Sequence, residues 1–137
     1  MIVLDTGVIF GAADVDDPRH QDCADFFDSL ASTALGVTVP VIVESSWLIE
    51  SRLGPAAEAT FLQSLGRGEI ERLDMTDADW SRVGQLVENY TDLGLGVVDA
   101  SVVAVAERLG VTQIATLDHR HFTVVRPSHI PAFELLP

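Results

Sequence analysis

The segment Val97–Leu109, VVDASVVAVAERL, constrains the fold of this chain more than any other. Its spacing predicts a helix that is apolar almost all round from Ala100 to Ala106, and such a helix is buried. Gly110 turns the chain at its end, and Thr112–Ala115 follows as a short strand. The alternation recurs. Met1–Leu4 reads as a strand and VIFGAA as a short helix. Val37–Val39 reads as a second strand, followed by a helix from Pro40 that Gly54-Pro55 stops. Ala56–Leu65 is a further helix and Ile70–Leu73 a third strand. Thr76 or Asp77 caps a helix to about Tyr90, with Trp80, Val83 and Val87 at helical spacing. Asp17 and Pro18 are placed to start a helix running to about Ser32, with Cys23, Phe26, Phe27 and Leu30 on one face. Phe122–Val125 reads as a turn or fifth strand, and the tail ends in an apolar FELLP. Short apolar strands alternating with helices predict an α/β fold, a mostly parallel sheet of about five strands covered on both sides. No repeat, low-complexity tract or Gly/Ser linker interrupts it, so residues 1–137 are expected to form one domain.

The apolar fraction of 47% excludes a disordered chain. No apolar run approaches the ~20 residues of a membrane span, and MIVLDT is not a signal peptide. Cys23 is alone, so no disulfide framework is implied, and a cytoplasmic protein is expected. Lys+Arg total 8 against 21 for Asp+Glu, a formal net charge of −13, and every basic residue is arginine. Alone, this argues against nucleic-acid binding and toward bound cations, a basic protein partner or solubility.

Four acids stand out by position. Asp5 directly follows the apolar IVL; it is an N-cap or a site residue. Glu44 has Val41, Trp47 and Leu48 as helical neighbours, a face on which a carboxylate is expected to be buried and therefore paired or metal-bound. Asp99 sits in the first turn of the apolar helix, where the helix dipole favours an acid. Asp118 follows IATL at a strand end, where Asp is common in turns. In a parallel sheet ligands bind at the C-terminal strand ends. Asp5 and Asp118 lie just after strands, and Asp99 and Glu44 lie in helices that overhang the same edge.

Carboxylates gathered there would raise each other's pKa, and a hard divalent cation removes that conflict. Mg²⁺ suits an all-oxygen set and activates water beside a phosphate. His119 and His121 flank Arg120 but lack a second His/Cys set at zinc spacing. Each of these three is a solvated turn residue or a substrate contact.

LDTGV with Asp5, VESSWLIESRLG with Glu44, GVVDASVVAVAERLG with Asp99 and IATLDHRHF with Asp118 resemble the PIN-domain ribonucleases, and within them the VapC toxins of bacterial toxin–antitoxin pairs. The likeness runs from Ile2 to about Phe122. It implies a three-layer α/β/α domain and an acidic quartet of Asp5, Glu44, Asp99 and Asp118 that holds Mg²⁺ or Mn²⁺. Asp5, Asp99 and Asp118 match the ligands, and Glu44 positions a water or acts as base. Thr6 matches the supporting hydroxyl and Asp92 an accessory acid. The resemblance further implies Mg-dependent endonucleolytic cleavage of structured RNA such as tRNA or rRNA, a VapB-like antitoxin partner, and a homodimer. Arg120 is the candidate for holding a substrate phosphate.

Inspection disfavours two other Mg²⁺ enzymes on α/β sheets. A haloacid-dehalogenase-type phosphatase needs DxD, and here Asp5 is followed by Thr6 and Gly7. A receiver domain needs a lysine, and there is none. A PIN-like binding module without catalysis, or a nuclease without an antitoxin, remains the alternative.

Overall fold

The computed structural model describes residues 1–137. In chain order the elements are β1 (Ile2–Leu4), α1 (Thr6–Ala13), α2 (His20–Ser29), β2 (Leu35–Thr38), α3 (Val39–Leu53), α4 (Pro55–Gly66), β3 (Glu71–Leu73), α5 (Asp77–Asn89), α6 (Val97–Leu109), β4 (Gln113–Ala115), α7 (His119–Val124) and β5 (Glu134–Leu136). A 3-10 turn at Thr91–Leu93 separates α5 from α6. The five strands form one all-parallel sheet in the order β3-β2-β1-β4-β5, with helices layered on its two faces. No helix is long and apolar enough to cross a membrane.

The predicted architecture is the one observed, and α6 is buried continuously from Ala100 to Ala106. Gly110, at φ +67°, ends it in the left-handed region that a side chain disfavours. Ser101 docks its N-terminal half: the Ser101 Oγ donates to the Val98 carbonyl at 2.6 Å and meets Thr38 Oγ1, at the end of β2, at 2.7 Å. Two ion pairs lock α6 against α5. Arg108 reaches the buried Asp79 carboxylate at 2.9 Å, and Arg82 reaches Glu107 at 2.8 Å. Asp79 also closes a capping box with Thr76 at the start of α5.

Three local readings are corrected. The helix expected from Pro18 to about Ser32 begins at His20, because the Asp17 carboxylate accepts from Arg19 N at 2.7 Å and so closes a turn, and it stops at Ser29. Phe122–Val125 is not a strand: Asp118 caps α7 there. The fifth strand lies instead in the tail, where Glu134–Leu136 pairs with Gln113–Ala115.

The strand order fixes where a site can form. The chain steps one way from β1 through β2 to β3, then returns to the other side of β1 with β4 and β5. Helices diverge at such a reversal, and a crevice opens beyond the C-terminal ends of β1 and β4.

Candidate metal centre

Asp5 is the residue after β1, and Asp118 lies three residues past β4. Asp99 occupies the first turn of α6 and Glu44 the second turn of α3. All four line one open cleft of about 720 Å³, together with Thr6 and His121.

Asp5 is nearly fully buried, and both of its oxygens are engaged. Thr6 N donates to Oδ1 at 2.7 Å, so the residue is also an N-cap of α1. Thr116 Oγ1 donates to Oδ2 at 2.7 Å and accepts from Asp118 N at 2.9 Å. Thr116 thus ties two acids that are 113 residues apart in sequence, by numbering, to one strand end. Burial pushes the Asp5 carboxyl up to about 6; the Thr116 hydrogen bond works against this, and the nearby Asp99 and Glu44 charges add to it. Burial also raises Asp99, opposed by its hydrogen bond to His121 and assisted by Asp118.

His121 stands between two of the acids. Its Nδ1 pairs with Asp99 Oδ2 and lies 3.4 Å from Asp118 Oδ2. One donor atom from each of Asp99, Asp118 and His121 lies within 4.8 Å of the other two. The hydroxyl of Thr6, itself buried in the cleft wall, has no hydrogen-bond partner. Clustered carboxylates, one driven toward its neutral form, with an orphaned hydroxyl beside them, fit a divalent cation with oxygen ligands.

A family profile described as "PIN domain" matches residues 2–126. The chain belongs to the PIN domain family. This PIN domain protein is 32% identical over 136 residues to Ribonuclease VapC26 of Mycobacterium tuberculosis, covering 99% of the chain and 100% of that relative. Its fold matches the crystal structure of VapC20 of Mycobacterium tuberculosis, described as a Sarcin-Ricin loop cleaving toxin, with a TM-score of 0.82 at 16% identity over 96% of this chain and 99% of that one. It also matches VapBC2 of Rickettsia felis, solved bound to a DNA fragment from their promoter, with a TM-score of 0.70 at 18% identity over the full length of both chains.

The remaining sequence-derived positions divide. Glu44 reaches the cleft but is exposed, not buried. Of its helical neighbours Val41 is fully buried and Leu48 half-buried, but Trp47 is 68% exposed, so Glu44 stands at the open edge of that face and no burial cost forces a partner on it. Asp92 is exposed on the 3-10 turn and does not line the cleft, although Gly94 and Gly96 do. Arg120 is exposed in the first turn of α7, outside the cleft lining, and makes no ion pair. Sequence reasoning missed Thr116 and left His121 undecided. The signal for Thr116 was a hydroxyl ending the apolar strand IAT; that for His121 was its i+3 spacing from Asp118, legible only if α7 is a helix.

Proposed function

We propose that this PIN domain protein is a metal-dependent endoribonuclease, the toxin of a VapBC-type pair, acting on structured RNA of the tRNA or rRNA kind. The observation that carries the reading is the convergence of Asp5, Glu44, Asp99 and Asp118 on one cleft at the switch point of the sheet. The full-length likeness to a relative named Ribonuclease VapC26 supports the substrate class.

Asp5, Asp99 and Asp118 would hold Mg²⁺ or Mn²⁺. A bound divalent ion supplies Lewis acidity, lowering the pKa of a water and offsetting charge that develops on the phosphate. The buried Thr116 fixes the Asp5 carboxylate, and α6 carries Asp99 on a rigid core. Glu44 differs from the other three, which all accept hydrogen bonds from protein groups: it has none. It is therefore free to take the proton of the attacking water as the water oxygen bonds to phosphorus; the bond to the leaving ribose oxygen breaks, and that oxygen takes a proton from solvent. Arg120, free of acidic partners, would hold a flanking phosphate. Asp92 is given no role.

We assign residues 1–137 to one PIN domain and place the protein in the cytoplasm with its RNA substrate. A VapB-like antitoxin with a basic segment would be drawn to the acidic cleft. A homodimer is supported by an apolar groove of about 540 Å³ lined by Val39, Pro40, Val43, Trp47, Trp80 and Val97. Its one charged lining residue is Glu44, so two copies of this acidic chain meet there with least repulsion.

The test is RNA cleavage by the purified, partner-free protein with Mg²⁺, with EDTA, and with Asp99→Asn. Cleavage that needs the metal and falls at least about 100-fold in the variant is expected. Cleavage that survives EDTA, or an unimpaired variant, overturns the assignment.

A further inference from the structure

We propose that His121 is a nitrogen ligand of the divalent metal, and that it makes this centre select Mn²⁺ and other first-row transition ions over Mg²⁺. The proposal rests on the metal centre argued above and goes beyond its acidic quartet.

Asp118 caps α7, and His121 lies three residues on, so one turn of helix sets carboxylate and imidazole side by side. Asp99 approaches the same ring nitrogen from α6. The separation of 3.4 Å between His121 Nδ1 and Asp118 Oδ2 is close to that of two ligands at right angles, which with bonds of about 2.1 Å stand about 3 Å apart. The mutual limit of 4.8 Å among the three donors spans the opposite-ligand distance of about 4.2 Å as well. Asp5 stands outside this mutually close set. The imidazole therefore has a stronger geometric claim on the Asp99–Asp118 pair than the third acid of the quartet.

The other histidines are otherwise placed. His20 Nδ1 meets the Gly11 carbonyl at 2.8 Å, and His129 Nε2 meets the Val111 carbonyl at 2.7 Å. His119 is exposed and does not line the cleft. Only His121, with its side chain 17% exposed, is held in the cleft against carboxylates. The second sign of a ligand is independent: the buried Thr6 hydroxyl lines the same cleft without a partner.

The consequence is selectivity. Mg²⁺ favours an all-oxygen shell and keeps its waters, whereas imidazole suits later first-row ions. On binding, the ring keeps its proton on Nε2, and the proton that Nδ1 shares with Asp99 leaves to solvent. The rival role is positioning, in which Nδ1–H keeps its hydrogen bond to Asp99 and only orients that ligand.

Metal-stripped protein is titrated with Mn²⁺ and with Mg²⁺, and the Mn²⁺ complex is examined by pulsed electron paramagnetic resonance for ¹⁴N coupling. Imidazole ¹⁴N modulation is expected in the wild type and in His119→Gln, and its loss in His121→Gln. Mn²⁺ affinity should fall about tenfold or more in His121→Gln while Mg²⁺ affinity changes far less. Bound Mn²⁺ without ¹⁴N coupling in the wild type overturns the proposal, whatever the variants do, and leaves the carboxylate centre standing. Equal losses for both ions in a folded His121→Gln also overturn it, in favour of the positioning role. Failure to bind either ion removes the metal centre and the proposal together.

Discussion

Asp5→Asn should make the metal-free protein more stable and the loaded protein inactive. The Asp5 carboxyl, ordinarily near 3.8, is pushed up to about 6 by burial and by the neighbouring acids. Below pH 4 the group is neutral in folded and unfolded chains and changes nothing. Between pH 4 and 6 the folded chain keeps a proton that the unfolded chain has released, so stability falls as pH rises. Above pH 6 the loss is complete, at about 3 kcal/mol. Asparagine preserves the shape and can accept from Thr6 N while donating to Thr116 Oγ1, in place of the two bonds now made by the carboxylate. Exchanging a charged acceptor for a neutral group gives back about 1 kcal/mol, leaving a net gain of about 2 kcal/mol at pH 8. For a chain of this size that is a rise of roughly 6 °C in Tm. The assay is urea unfolding of both proteins in EDTA at pH 4.5 and pH 8, repeated with Mn²⁺. The advantage of Asp5→Asn should shrink toward pH 4, and Mn²⁺ should stabilise the wild type more than the variant. An Asp5→Asn protein no more stable than wild type at pH 8 in EDTA, or an advantage that does not change with pH, refutes the reasoning.

Three further substitutions separate scaffold from chemistry. Arg108→Ala removes the cation from Asp79, which is 3% exposed, and should cost about 2–3 kcal/mol in urea unfolding with cleavage per folded molecule retained. Glu44→Gln should leave stability within about 0.5 kcal/mol, because the residue is exposed and unpaired, while slowing cleavage about 100-fold or more in single-turnover assays. Trp47→Arg should convert a dimer to a monomer in sedimentation without changing its circular dichroism. The chain has 2 tryptophans, both in the apolar groove, so dilution of the wild type should also shift their emission to the red.

The elements that were legible in the sequence are those marked at both ends by local chemistry. α6 runs from Val97 to Leu109 as expected because Gly96 and Gly110 bound a segment that is continuously apolar from Val102 to Ala106. α3 stops where Gly54 takes φ +91°. β5 was hidden because its three residues follow a proline-rich stretch, and only their pairing with β4 makes them a strand. α7 was hidden because six residues are too few to display a period, and Asp118, its cap, reads equally well as a turn residue. Glu44 shows a different limit. Its spacing correctly put it among apolar residues, but spacing defines a shared face and is silent on whether anything covers that face. The reading of Asp5 as a helix cap also holds in the structure, alongside its place in the cleft, and Asp118, read as a turn residue, proves to cap α7. Capping and clustering are compatible here because each cap lies at a strand end of the same sheet edge.

The net charge of −13 is harder to reconcile with an RNA substrate than the composition alone suggests. Five of the eight arginines are committed to acids: Arg19, Arg67, Arg72, Arg82 and Arg108. Arg52 sits over the Phe10 ring, and Arg126 donates to the carbonyls of Thr123 and Val125. Arg120 alone has neither kind of partner, and it lies two residues from Asp118. RNA therefore has very few cations to displace its counterions, and a divalent ion held in the cleft would supply much of the attraction. Between one and three neutralised phosphates give a log–log salt slope of about −1 to −2 for a single-stranded segment. Arg120→Ala should flatten that slope by about 0.7, and removing the divalent ion should weaken binding more than Arg120→Ala does. Fluorescence anisotropy with a labelled RNA hairpin and the cleavage-deficient Asp99→Asn chain cannot serve here, since that variant weakens the metal site. The Glu44→Gln chain, which keeps Asp5, Asp99 and Asp118, avoids this. A slope near −5 would mean that the paired arginines are released to the RNA, and the division of labour between metal and Arg120 would fall with it.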